Sequence, residues 1–232
     1  MKVLLVGSGK GGTGKTTMSS LIATHLTSQY NVGLLDTDLG CPSVAKMFGI
    51  GDYQFKFEPE GGMIPALFEG IGDERTLKVF SVGADIPDDQ FVAWDGQQLT
   101  GMLRDHFDSI AWGDLDVLVV DLPPGTSDNV QLPMELYGNA TVVPVTFNTE
   151  LACTDTQRFI QLAKSKDMSI NDLIVNMSDV YDNTEGIVFY EALGINKVIT
   201  INFNKLYTMN SAGLSMLDAP DDNLIEMCLR LI

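Results

Sequence analysis

The sequence predicts a single-domain, doubly wound α/β fold over residues 1–232, with a mostly parallel sheet flanked by helices on both faces. Three observations carry that expectation. Short apolar runs recur along the chain, as strands buried on both faces must read. Helix-like segments fill the intervals, and such alternation builds parallel sheets. A glycine-rich turn joins the first apolar run to the first helical stretch.

The elements follow in order. KVLLVGS (2–8) is a fully apolar strand. MSSLIATHLTSQY (18–30) places Leu21, Ile22, Leu26 and Tyr30 at helical spacing. VGLLDTD (32–38) and LKVFSVG (77–83) are the next strands. Between them, 50–76 is the least regular stretch; it reads as an elaborated loop or hairpin beside the site. LDVLVVDLPPG (115–125) is a strand stopped hard by Pro-Pro-Gly. ATVVPVT (140–146) is another strand, with Pro144 an oddity near its end, and DLIVNMS (172–178) and KVITINF (197–203) complete the set. Helices are expected at 98–111, 154–166 and 184–193, and an amphipathic one in DDNLIEMCLRLI at the C-terminal end.

Composition narrows the partners. Thirty-one acidic residues against 14 basic ones leave a net charge of −17. Nucleic-acid backbones and anionic lipid both need clustered Lys and Arg, so neither is an expected partner. In the C-terminal stretch Arg230 stands against Asp221, Asp222 and Glu226, so that helix is expected to pack on the domain rather than on a membrane. The apolar run near the N-terminus is too short for a signal peptide. Cys41, Cys153 and Cys228 form no C-x-x-C. A cytoplasmic protein is expected.

GKGGTGKT (9–16) fits G-x-x-x-x-G-K-S/T in the strand–loop–helix context that a phosphate-binding loop requires. Glycines let backbone N–H groups close around phosphate oxygens. The helix start adds its positive end. Gly9, Lys10, Gly11, Gly12, Thr13, Gly14, Lys15, Thr16 and Thr17 form the expected nucleotide-binding set. Lys15 is placed to reach the β- and γ-phosphates and Thr16 to ligate Mg²⁺. Lys10 is a second lysine on the opposite shoulder, badly placed for its own phosphates. It can offer charge to a nucleotide in a second subunit, as an arginine finger does.

Acids mark the strand ends. Asp36 and Asp38 close the second strand, where carboxylates can hold Mg²⁺ through water or orient an attacking water. Asp36 is expected to partner Mg²⁺ indirectly, and acidic capping of the next turn is the competing reading. Asp121 ends the apolar run 115–121 and is expected near Mg²⁺, through water or through Thr16. Gly125 lies in a turn able to bring an N–H to a γ-phosphate. NKLY (204–207) fails the guanine-binding N-K-x-D pattern, which favours ATP over GTP.

The loop resembles the deviant Walker A signature, K-G-G-x-G-K-S/T, of the MinD, ParA, Mrp and nitrogenase-iron-protein ATPases. That resemblance implies slow ATP hydrolysis and an ATP-bridged face-to-face homodimer. It implies that Lys10 reaches the partner's ATP, that Asp38 positions the hydrolytic water, and that Asn176 contacts adenine. A plain strand-end turn remains the other reading of Asn176. WDGQQLTGMLRDHFDSIAWGDLDVLVVDLPPGTSD (94–128), DTDLGCPSVAKMFGI and LIVNMS resemble the Mrp (ApbC-type) branch, whose members carry iron–sulfur clusters. That branch places a C-x-x-C after N-M-S, whereas this chain reads NMSDVYDNTEG. Thiolates are the usual cluster ligands, so carriage by that route is in question. Two copies of Cys41 could approach across a dimer as substitute ligands, but a small buried hydrophobe is the favoured reading. Asp179, Asp182 and Glu185 could bind a hard metal, but a solvated acidic loop is the favoured reading. The expected partner is a client protein, in metal or cluster delivery. The competing readings are a spatial organiser of the MinD or ParA kind and a scaffold that has lost cluster chemistry.

Overall fold

The computed structural model describes residues 1–38, 40, 42–51, 53, 56–59, 61–69, 75–81, 109–181, 190, 193–204 and 222–232. The expected helix at 184–193 lies almost wholly outside them, as do Cys41, Asp182, Glu185 and residues 98–108 of another expected helix.

An eight-stranded sheet runs in the order β10-β9-β8-β1-β7-β2-β6-β5. The strands are β1 (Lys2–Gly7), β2 (Val32–Asp36), β5 (Ala66–Glu69), β6 (Thr76–Ser81), β7 (Val117–Asp121), β8 (Thr141–Thr146), β9 (Asp172–Asn176) and β10 (Lys197–Ile201). All pair in parallel except β5, which runs antiparallel to β6. Helices α1 (Lys15–Leu26), α2 (Val44–Met47), α3 (Asp128–Leu136), α4 (Glu150–Ser165) and α5 (Asp222–Leu231) accompany it. The doubly wound, mostly parallel architecture is the expected one.

Period-two alternation sends strand side chains to the two faces of the sheet. Leu4, Val6, Leu34, Val117, Val119 and Val143 point to one face, beneath α1 and α5. Leu5, Leu35, Leu118, Val120, Leu122 and Val142 point to the other, beneath α3 and α4. Helix α1 is buried from Met18 to Leu26 because it lies between the sheet and α5. Helix α5 buries Leu224, Met227, Cys228 and Leu231, an i, i+3, i+4, i+7 stripe. Arg230 then binds Glu226 and Asp172, tying the acidic helix to β9.

The stretch 50–76 holds the expected hairpin, β3 (Lys56–Phe57) with β4 (Met63–Ile64), and adds β5, which joins the main sheet. Two expectations change. Residues 109–111 are not helical, because Met63 exchanges backbone bonds with Ser109 and Ala111. The run 172–178 stops as a strand at Asn176, because Met177 turns left-handed with φ 52°. Pro144 is accommodated opposite Gly7 of β1, one residue before the β9 ladder begins at Val145. Its missing N–H falls outside that ladder.

The run WGDLD (112–116) buttresses the amino end of the sheet. A Cβ on Gly33 would lie 2.7 Å from Leu115 Cδ1 and 3.0 Å from Trp112 Cζ3. The Asn31 N–H donates to Asp116 Oδ2 at 2.8 Å.

Candidate functional site

Parallel strands end together, and their carboxyl edge gathers the acids and the loop. Register sets Asp36 directly beside Asp121, and Ser81 beside Asp36. Between β1 and α1 the chain wraps residues 8–14 into the glycine loop, and Gly14 reaches φ 85° at the helix start. No side chain caps α1, and its first turn carries no acid, so its N–H groups keep a positive end for an anion. Backbone packing makes glycine necessary at Gly9. A Cβ there would lie 2.0 Å from the Asp155 carbonyl oxygen of α4.

Lys15 is buried and binds inward. Its Nζ lies 3.1 Å from Asp121 Oδ1 and 3.4 Å from Thr16 Oγ1. Ser19, one turn further along α1, donates to the same Asp121 oxygen at 2.8 Å. The other oxygen, Asp121 Oδ2, is buried with no hydrogen-bond partner. An orphaned buried carboxylate oxygen is costly, and a cation or its water would satisfy it. Asp121 and Thr16 therefore fit a divalent metal at the phosphate end of the loop.

Asp36 is engaged differently. Its Oδ1 accepts from the Asp38 N–H at 3.0 Å. Its Oδ2 accepts from the Val44 N–H at 3.2 Å and from Ser81 Oγ at 2.9 Å. Burial pushes its carboxyl up to about 7, helped by the neighbouring Asp121 charge and opposed by the bonds from Asp38 and Ser81 and by Lys15. Asp36 thus organises the turn into α2, the capping arrangement that competed with metal contact. Asp38, half-buried, follows it at the edge.

Lys10 faces the other way. Ser8 Oγ donates to its carbonyl at 2.8 Å, and its Nζ sits over the Phe147 ring, 5.8 Å from the centroid. Phe147 in turn stacks on Tyr181 at 4.8 Å between centroids. The Gly125 N–H donates to the Ser8 carbonyl at 2.9 Å, so this turn is fastened to the loop through the group assigned to a phosphate. Asn176 is buried and braces the loop. Its Nδ2 donates to the Thr13 carbonyl at 3.0 Å, and its Oδ1 accepts from the Met177 N–H at 2.9 Å. A cleft beside it is lined by Thr17, Met18, Met177, Phe203 and Asn204.

Sequence reasoning missed Ser19, Ser81, Phe147 and Tyr181. Ser19 stands four residues after Lys15, a helical spacing that puts both on one face. Ser81 and the aromatic pair are recognisable only once strand order is known. The two described cysteines do not converge: Cys228, on α5, lies in the core beside α1, and Cys153 in a separate cluster with Tyr190. Burial raises the Cys228 thiol to about 12, which disfavours the thiolate that a cluster needs. Among the described residues no group of three or more metal-ligating side chains gathers.

The chain is similar to known proteins. The family described as ParA, NUBPL iron-transfer P-loop NTPase, matches residues 1–202. An iron–sulfur cluster carrier protein of Pyrococcus furiosus is 36% identical over 176 residues, covering 74% of this chain and 60% of that protein. The chain therefore matches less than two thirds of that relative's length. A cytosolic Fe-S cluster assembly factor NUBP2 homolog of Culex quinquefasciatus is 37% identical over 76% of this chain and 69% of its own. Among solved structures, a nucleotide-binding protein of Archaeoglobus fulgidus in complex with ADP superposes with TM-score 0.77 at 25% identity, covering 97% of this chain and 90% of that one. The Pyrococcus furiosus cell division ATPase MinD superposes with TM-score 0.71 at 17% identity over 100% of this chain and 99% of its own.

Proposed function

The chain belongs to the NUBPL iron-transfer P-loop NTPase family, and from that premise we propose that it is a Mg²⁺-dependent ATPase working as an ATP-bridged homodimeric switch of the Mrp type. One observation carries the reading. A buried lysine at a bare helix start pairs with a buried strand-end acid whose second oxygen has no partner. That arrangement supports anion and metal binding together. Mg²⁺, held by Thr16 and Asp121, would neutralise charge on the β- and γ-phosphates.

In this reading Lys15 gives up Asp121 for the phosphates, and the loop N–H groups close on their oxygens. Asp38 orients the attacking water, while Asp36 holds the backbone of that turn in place. Lys10, drawn out of its own loop, serves a partner's nucleotide. Asn176 and the cleft beside it take the base. One domain over 1–232 and a cytoplasmic setting complete the proposal. No helix among the described residues is long and apolar enough to cross a membrane.

An iron–sulfur cluster enters as cargo, by analogy with the relatives named as carriers. The family's route through a C-x-x-C does not fit, for no such pair exists and the thiols of Cys153 and Cys228 are buried apart. That observation favours a second reading, an ATP-driven dimer switch that acts on a client protein without carrying a cluster. The MinD-like organiser gains nothing from the acidic α5, which is ion-paired to the sheet.

Mg²⁺-ATP binding, turnover and ATP-dependent dimerisation, followed by calorimetry, phosphate release and sedimentation, test the first reading. Absence of nucleotide binding would end it. Anaerobic iron and sulfide reconstitution, with Cys41→Ser alongside, separates the two. A cluster lost in Cys41→Ser identifies a carrier with relocated ligands, and no cluster in the wild type leaves the client switch.

A further inference from the structure

We infer that Asp179 is a positioning residue for the nucleotide base: it ties the turn after β9 to the end of β10 and so sets the width of the cleft beside the phosphate loop. The inference rests on the nucleotide-binding reading above. It assigns that acid a role other than metal binding or solvation.

The chain turns back immediately after β9. Met177 takes φ 52°, and its carbonyl accepts from the N–H groups of Val180 and Tyr181 at 3.0 and 3.1 Å. A β-carbon makes that conformation unfavourable, so something must hold it. Three bonds to the end of β10 and the two residues after it do so. The Ser178 N–H donates to the Ile201 carbonyl at 3.0 Å, and Ser178 Oγ to Asn202 Oδ1 at 2.8 Å. The Phe203 N–H donates to Asp179 Oδ1 at 2.6 Å. A backbone N–H on an ionised carboxylate is a charge-assisted bond, stronger than a neutral one.

The two segments so joined are cleft walls. Met177 comes from the turn, Phe203 and Asn204 from beyond β10, and Thr17 and Met18 from α1. Gly14 joins cleft to loop, since a Cβ there would lie 2.2 Å from Asn176 Nδ2. Apolar Met177 and Phe203 beside the amides of Asn176 and Asn204 suit a flat heteroaromatic ring with polar edges. The bond that places the Phe203 backbone comes from Asp179, which itself lies exposed at the rim.

Calorimetry on the full chain with Mg²⁺-ATP and with inorganic tripolyphosphate tests this. Tripolyphosphate engages the loop but has no base. The wild type should bind ATP more tightly than tripolyphosphate. Asp179→Ala should weaken ATP roughly fivefold to tenfold, the loss of one hydrogen bond's worth of positioning, and leave tripolyphosphate within about twofold. Asp179→Asn, whose amide oxygen can still accept from Phe203, should retain ATP affinity. Ser178→Ala, which removes the neighbouring bond of the same tie, should weaken ATP roughly threefold to fivefold and leave tripolyphosphate unchanged, and it decides the matter if Asp179→Ala does not fold. Unchanged ATP affinity in Asp179→Ala, or equal loss of both ligands, overturns the inference. Equal wild-type affinity for both ligands overturns the base cleft and leaves the phosphate loop standing. Failure to bind either ligand overturns the nucleotide reading itself.

Discussion

Lys10 and Lys15 stand five positions apart in one glycine loop, yet their surroundings are opposite. Lys15 is 7% exposed, and its ammonium meets a fully buried carboxylate on β7. Lys10 is half-buried and meets the face of an aromatic ring beyond β8. What differs is the strand end each one faces. A desolvated ion pair is stringent: removing one partner leaves the other charge stranded. A cation over a ring is weak and easily exchanged. One lysine is thus built into the site, and the other is held loosely at its rim.

The contrast can be broken most severely at Lys15. Lys15→Ala should abolish nucleotide binding by calorimetry. It should also destabilise the free protein by about 3 kcal/mol, because Asp121 is left buried without its cation. Adding Asp121→Asn should return much of that stability while binding stays lost, and chemical denaturation reads both. Lys10→Ala should leave monomer nucleotide binding intact. Its ATP turnover should fall roughly a thousandfold, the scale of a missing arginine finger. Normal turnover would remove Lys10 from the chemistry.

A smaller effect belongs to Asp36. Its folded pKa, about 7, lies above the ordinary 3.8. The stability this group contributes is therefore fully present below about 4 and lost as pH rises through about 7. Asp36→Asn cannot titrate there. The melting temperature of the variant minus that of the nucleotide-free wild type should rise between pH 5 and pH 8. A flat difference would mean that Asp36 is charged throughout that range. The smallest effect is expected at Phe147. If Lys10 must leave the ring to reach a partner, Phe147→Leu should strengthen ATP-dependent dimerisation about twofold to fivefold, the worth of an exposed cation–π contact.

The phosphate loop and the Asp121 strand end were legible because spacing alone specifies them. A glycine-lysine turn between strand and helix has few other uses, and an apolar run ending in acid places that acid at the sheet's edge. The competition at Asp36 could not be decided in sequence, since Ser81 and the Val44 N–H reach it only through strand pairing and the turn into α2. Strand β5 was hidden because four residues, ALFE, are too few to show a period. The WGDLD run taught a different lesson: it points to a branch of the family, yet in space it props Gly33 and Asn31 at the amino edge. Phe147 and Tyr181 carried no pattern at all, and their stacking follows from β8 lying beside β9.

The central claim is that Lys10 acts on the partner's nucleotide, and mixing two inactive variants tests it most directly. Lys10→Ala keeps Asp38, and Asp38→Ala keeps Lys10. In a mixed dimer, one site then has its own Asp38 and a lysine from across the interface. The account predicts that an equal mixture regains about a quarter of wild-type turnover, one competent site in half of the dimers. A mixture as inactive as its parents would place Lys10 at its own nucleotide and contradict the account.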